Sequence, residues 1–359
     1  MFSRWVYLCS GPILFLALLI TPALAATYII SPSGTGDFPT IQAGVDGAAS
    51  GDTILLIDGI FTGSGNRDIN FYGKDLILSS QSGQPENCIL DCENSGRAFL
   101  FESGETSLTV LEGLTIKSGY TLEYGGGIYC EYSSPSIANC VFLDNHAAYA
   151  GGGLCCLYYV ESMVTDCIFK DNVSDNSIGH GGGMHCGDYS SPTLIRCTFQ
   201  GNHADTRGGG FHCHLYSSAT LENCTFYDNT SIDGSQVGVR HNSWVSLHNC
   251  IIAFGNLGSG IFCELDCDAF LTCCDVFGNE GGDWVDCIGD QYGINGNIAA
   301  DPLFCDPEQG DLGIQSISPC APYSPPNASC DLIGAWPVGC YQPTLTRSRT
   351  WGTLKGYYK

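Results

Sequence analysis

Apolar residues in the middle of this chain recur with period two in short bursts, and the bursts themselves recur. The first burst of each unit reads Ile128-Tyr129-Cys130, Leu154-Cys155-Cys156, Met184-His185-Cys186 and Phe211-His212-Cys213. Alternation of this kind marks a strand with one inward face. It places Ile/Leu/Met/Phe and the last cysteine inside, and Tyr129, Cys155, His185 and His212 outside. A second short strand carries one apolar residue (Ile137, Val164, Leu194, Leu221, Leu247), and a third reads Cys140/Phe142, Cys167/Phe169, Cys197/Phe199, Cys224/Phe226 and Cys250/Ile252. Asn145, Asn172, Asn202, Asn229 and Asn256 then close the units. Glycine triplets open them at Gly125, Gly151, Gly181 and Gly208, spaced by 26, 30 and 27 residues.

Three strands in so short a repeat cannot bury their own apolar sides. Stacked unit on unit, each strand pairs in parallel with its copy, and the inward columns form one core. The expected fold is all-β: a right-handed parallel β-helix of about ten three-strand coils. Its clearest repeats span residues 113–280. At the front, residues 26–60 read strand, short helix, strand. Ile41, Val45 and Ala48 share a helical face and Thr40 is a suitable N-cap, so this segment is the predicted N-terminal cap. Residues 281–340 read as weakened last coils and a C-terminal cap.

Two segments stand apart. Residues 1–25 have Arg4 as their one charge, an apolar run from Val6 to Ile20 and an Ala23-Leu24-Ala25 cleavage signal. They read as a secretory signal peptide, which predicts an exported protein, secreted or displayed at a cell surface. No other stretch is long and apolar enough to span a bilayer. Residues 341–359 hold four basic residues, no acidic one, and Trp351, Tyr357 and Tyr358; they read as a basic aromatic tail, either a frayed end without a role or a segment suited to attachment.

Between these ends the charge is strongly negative, with all 37 acidic side chains against eight basic ones. That balance excludes nucleic acid as a partner. The 22 cysteines suggest a disulfide framework in an oxidising compartment. Stacking argues against a complete one, because parallel neighbours keep their Cβ atoms near the coil spacing, too far for relaxed bridges. Cys186 and Cys197 are expected to stay reduced, whereas Cys305, Cys320, Cys330 and Cys340 lie in irregular chain better suited to bridging.

The Phe-x-x-Asn and Gly-Gly-x-(Ile/Leu) patterns resemble the repeats of polymorphic outer-membrane proteins and of secreted bacterial right-handed β-helix proteins. The opening "DFPTIQAGVD" and closing "DPLF…SPC…IGAW" resemble the latter group. The resemblance implies the pectin-lyase-like fold, which hosts enzymes acting on acidic polysaccharides as well as adhesins and structural proteins. Polygalacturonase motifs reduce to a lone Gly179-His180-Gly181, and the paired aspartates of pectin methylesterases have no counterpart. Pectate lyases carry calcium-binding carboxylates and an arginine base on the outward face of one sheet. The corresponding columns here hold His185, His212, His214, Arg240, Glu131 and Glu264, the candidate ligand-binding residues. No catalytic set is assembled and no cofactor is called for. Calcium at Asp144, Asp171 and Asp228, or a metal on His212, His185 and Cys155, are the cation readings. The function expected is therefore binding or scaffolding, with an acidic polysaccharide or cell-surface polymer as partner. The alternative is a polysaccharide lyase or glycoside hydrolase working on the outward face of the first strands.

Overall fold

In a computed structural model, which describes residues 25–340, the chain winds into a right-handed parallel β-helix. Four parallel sheets run along its length, of ten, nine, eight and six strands. The ten-strand sheet is built from the second strands and sets the number of coils at ten. The eight-strand sheet holds the first strands, and the nine-strand sheet the third. Register is strict, with Leu154 opposite Met184, Val164 opposite Leu194 and Phe169 opposite Phe199. The signal-peptide and tail readings, residues 1–25 and 341–359, fall outside the described residues apart from Ala25.

Strict register makes identical side chains stack. Phe142, Phe169, Phe199 and Phe226 form an inward column with ring centroids 4.5–4.7 Å apart and planes within 6°. The cysteine before each phenylalanine is equally buried, and its thiol donates to backbone, as Cys197 does to the Val164 carbonyl at 3.4 Å. Both cysteine columns therefore serve as small apolar fill.

Each coil carries its three strands, and the central coils add a short corner piece. A fourth, two-residue strand (Tyr120–Thr121, His146–Ala147, Val173–Ser174, His203–Ala204, Thr230–Ser231, Asn256–Leu257) forms the six-strand sheet. It is led into the corner by a buried ladder in which Asn145 donates to Asn172, Asn172 to Asn202 and Asn202 to Asn229, at 2.8–3.0 Å. Each amide also donates to a backbone carbonyl one coil earlier, so the corner leaves few polar groups unpaired. Asn256 does not belong to this ladder. It sits one position later, in register with Thr230, and Gln236 receives the Asn229 amide instead.

The ends are closed differently. The front is capped by the helix Ile41–Gly47, whose Thr40 hydroxyl accepts the Ala43 N–H at 3.2 Å and whose Ile41 and Val45 are fully buried. At the back, residues 281–340 keep one remnant of a coil, Ile298 pairing in parallel with Asp275 of the last third strand. The rest forms a short 3-10 helix (Asp286–Ile288), an antiparallel hairpin (Phe304–Asp306 with Asp311–Ile314) and irregular chain with its own small core. Residues 332–336 then fold back along the outside of the third-strand sheet. There Ala335 N–H binds Thr225 Oγ1 and the Trp336 indole binds Thr198 Oγ1, both at 2.9 Å. The closing "IGAW" is thus a strap.

Candidate functional site

The glycine corner explains what happens to the outward face of the first strands. Gly151, Gly181 and Gly208 have φ of 61–68°, a region other residues avoid. This reverses the chain so sharply that the residue before each triplet lies back over the strand that follows. Tyr124, Ala150, His180, Arg207 and Asp233 pair as a parallel column in this position. They form a roof over Tyr129, Cys155, His185 and His212.

Under that roof the histidines are enclosed. His185 is 3 % exposed and His212 is fully buried, as is Cys155; the expectation that this column faces solvent is corrected. His212 Nδ1 lies 3.1 Å from His185 Nδ1, and the His180 ring stands 4.7 Å from that of His212. His180 Nδ1 meets the Thr206 hydroxyl at 2.7 Å, so the Gly-His-Gly motif supplies a roof member. Burial, and after it the neighbouring histidines, holds His185 and His212 well below the ordinary histidine range. Burial, with Arg207 next, pulls His180 to about 4, and burial with His241 pulls His214 to about 4. The stack is neutral at pH 7. Its Nε2 on His212 has no hydrogen-bond partner among the described residues.

Of the other candidates His214 reaches it, its ring 5.7 Å from that of His212, and the two glutamates do not gather there. Glu131 and Glu264 stand at opposite ends of one column, five coils or about 24 Å apart. Glu131 accepts from Tyr129 Oη at 3.2 Å. Arg240 Nε donates to both oxygens of Glu264, at 3.2 and 3.0 Å, and His214 Nε2 meets His241 Nδ1 at 2.8 Å. Arg240, Glu264 and His241 therefore form an outward group, and His214 links it to the enclosed His185 and His212, its ring 6.0 and 5.7 Å from theirs. Among the described residues no three His, Cys, Asp or Glu side chains converge to hold a metal ion. Asp171 lies 3.8 Å from Lys170, and Asp228 accepts from Asn256 at 2.8 Å.

Beside this face, at the turn that ends each first strand, runs a feature that periodicity within strands does not reveal. Tyr132, Tyr159, Tyr189 and Tyr216 are each 50–60 % exposed. Their rings stack along the axis: Tyr159 to Tyr189 at 5.3 Å and Tyr189 to Tyr216 at 5.2 Å, with planes within 10°. Tyr132 continues the row against Tyr158 at 5.2 Å and Tyr159 at 6.4 Å. All five tyrosines have positive φ. The turn is fixed from below by a buried serine ladder: Ser190 accepts from Val160 N–H, Ser217 from Ser190 N–H and Ser243 from Ser217 N–H, all at 3.1 Å. A sequence signal existed, since tyrosine stands three residues after the inward cysteine of the first strand at Tyr159, Tyr189 and Tyr216.

Comparison with known proteins agrees with the architecture. Residues 172–299 match the family described as the right handed beta helix region. A metabotropic glutamate receptor-like protein R of Dictyostelium discoideum is 29% identical over 213 residues, which is 58% of this chain and 12% of that protein. This chain thus spans about one-eighth of that relative. Among solved structures, pectate lyase Pel9A superposes with a TM-score of 0.57 at 11% identity, covering 88% of this chain and 96% of that one. A pectin methylesterase from Aspergillus niger gives 0.43 at 10% identity, over 76% and 96%, too loose to carry an argument. The likeness to the pectate lyase is one of fold.

Proposed function

We propose that this chain is an extracellular module that holds a polysaccharide or similar cell-surface polymer against its side without cutting it. The observation that carries this reading is the enclosure of the first-strand face. A lyase or hydrolase needs an open site with an acid or base within reach of the reacting atoms. Here His185 and His212 are enclosed beneath the roof, and Arg240 is held by Glu264. Three disulfides support an oxidising compartment. No helix among the described residues is long and apolar enough to cross a membrane. The pectate lyase with the same fold acts, by its name, on a polysaccharide, which supports a glycan as the class of partner.

The test is incubation with polygalacturonate, alginate and neutral glucans, with and without calcium, following unsaturated products and reducing ends. No turnover is expected. Turnover that disappears in Arg240→Ala would assign the chain to the polysaccharide lyases or hydrolases instead.

A further inference from the structure

We infer that the exposed tyrosine row is the binding site, and that its ligand is a straight, unbranched, uncharged polysaccharide of the β-1,4-linked kind lying along the helix axis. The inference rests on the binding reading above and assigns it a place and a chemistry.

The row is not needed to hold its own turn. The serines beneath already satisfy the backbone there, coil after coil, from buried positions. Stacking does contribute to stability, yet a fold seeking only that gain buries its rings, as the phenylalanine column does. The tyrosines are instead left half in water on four successive coils. Because their faces are turned toward one another, a ligand meets ring edges and phenol hydroxyls. Each hydroxyl donates one hydrogen bond and accepts others, which suits a partner made of alternating hydroxyls and C–H surface.

Spacing and charge select among linear polymers. The rungs repeat at 5.2–5.3 Å between Tyr159, Tyr189 and Tyr216. An extended peptide advances only about 3.4 Å per residue and falls out of step within two rungs. A pyranose ring linked across opposite corners advances by close to one rung. The charges that act on Tyr158 are Asp188 first and then Glu131, both negative. In a chain of net charge −24, that field turns away polyanions, including nucleic acids and polyuronates. Carboxylates beside tyrosines accept readily from sugar hydroxyls. The acidic glycan expected on the histidine face is replaced by a neutral one on the ridge.

The experiment is native affinity electrophoresis in gels cast with hydroxyethylcellulose, a β-1,4-linked glucomannan or polygalacturonate. It uses the wild-type chain and the Tyr159→Ala/Tyr189→Ala/Tyr216→Ala variant, with circular dichroism and a melting curve on both. The inference expects retardation by at least one neutral polymer, a tenfold or greater loss of affinity in the variant, an unchanged strand spectrum and no retardation by polygalacturonate. The triple Phe variant at the same positions keeps the ring edges and separates their share from that of the hydroxyls. Wild-type affinity in the triple Ala variant, or a preference for polygalacturonate, overturns the ridge while leaving a non-catalytic binder standing. Failure of every polymer to retard the wild type overturns both. Ridge-dependent binding accompanied by turnover overturns the non-catalytic reading alone.

Discussion

The coils and the C-terminal cap use the same residue in opposite ways. Within the coils, cysteines stand in register and stay thiols: Cys140, Cys167, Cys197, Cys224, Cys250 and Cys274 in one column, Cys130, Cys156, Cys186 and Cys213 in another. Three disulfides, Cys263–Cys287, Cys273–Cys330 and Cys305–Cys340, cluster where the last coils meet the cap. Exposure does not explain the difference, because the coil thiols are buried in pairs one coil apart. Geometry does. Parallel neighbours point the same way at the coil spacing, whereas irregular chain can bring Cβ atoms to bonding separation. Order between coils removes the need for cross-links, and the cap, lacking that order, is stapled. Cys320 is the exception among the four cap cysteines expected to bridge. It stays reduced because its thiol is spent on a carboxylate, Asp275 Oδ2, at 3.1 Å.

That carboxylate gives the largest expected effect, and it sets the two regions against each other in pH. Asp275 is fully buried on the last third-strand, accepts from Ala300 N–H at 3.0 Å, and is raised by burial to about 7. Its ordinary value is near 3.8, so the unfolded chain ionises first as pH rises. Cap stability from this group is therefore full below pH 4 and falls between pH 4 and 7, by up to about 4 kcal/mol. The half-buried histidines of the coils do the reverse. Held at about 4 for His180 and His214 against an ordinary 6.5, they cost the coils stability as pH falls from 6.5 toward 4. Hydrogen exchange at pH 4 and pH 8 should show cap protection higher at the acid end and coil protection higher at the alkaline end. Asp275→Asn should flatten the cap's dependence and leave that of the coils. An unchanged cap profile in the variant removes Asp275 from the account.

The staples come next. Opening Cys305–Cys340, a separation of 35 residues, by the double alanine variant should cost about 2–4 kcal/mol. The loss should be confined to the hairpin and the strap over Thr198 and Thr225. Limited proteolysis should cut the variant between residues 300 and 340 and spare the coils. Cutting within residues 113–280 at the same rate would mean that the cap holds the coils in order, and that their register is not self-sufficient.

How far sequence carries depends on whether a feature repeats inside a strand. Phe199, Cys197 and Leu194 announce their inward columns because the same class of residue returns in each coil, and the architecture follows from that. The roof over His185 and His212 does not announce itself, since alternation says which way a side chain points and not what lies beyond it. The covering residues, His180 and Arg207, precede the glycines, and only the backbone reversal at Gly181 and Gly208 brings them overhead. The tyrosine row was readable in principle, but turns of unequal length hide it: Tyr132 stands two residues after Cys130, while Tyr159 stands three after Cys156. Cys320 could not have been separated from its bridging neighbours without the position of Asp275, 45 residues away.

The smallest expected effect tests whether the coil cysteines are only fill. Cys197 is fully buried between Cys167 and Cys224, and its thiol makes two weak contacts, to Val164 at 3.4 Å and Ile195 at 3.6 Å. Burial pushes this thiol well above its ordinary range, so it carries no charge whose loss would matter. Cys197→Ala removes one sulfur atom from a column that continues on both sides. The cost should be close to that of one buried methylene with a small unfilled gap, about 1 kcal/mol. Urea unfolding should show a modestly lower midpoint with an unchanged slope. Alkylation of the native wild type should leave Cys197 unmodified until denaturant is added. A loss of 2–4 kcal/mol, together with a newly reactive Cys224 in the variant, would reveal a bridge between the two and return the coils to the same rule as the cap.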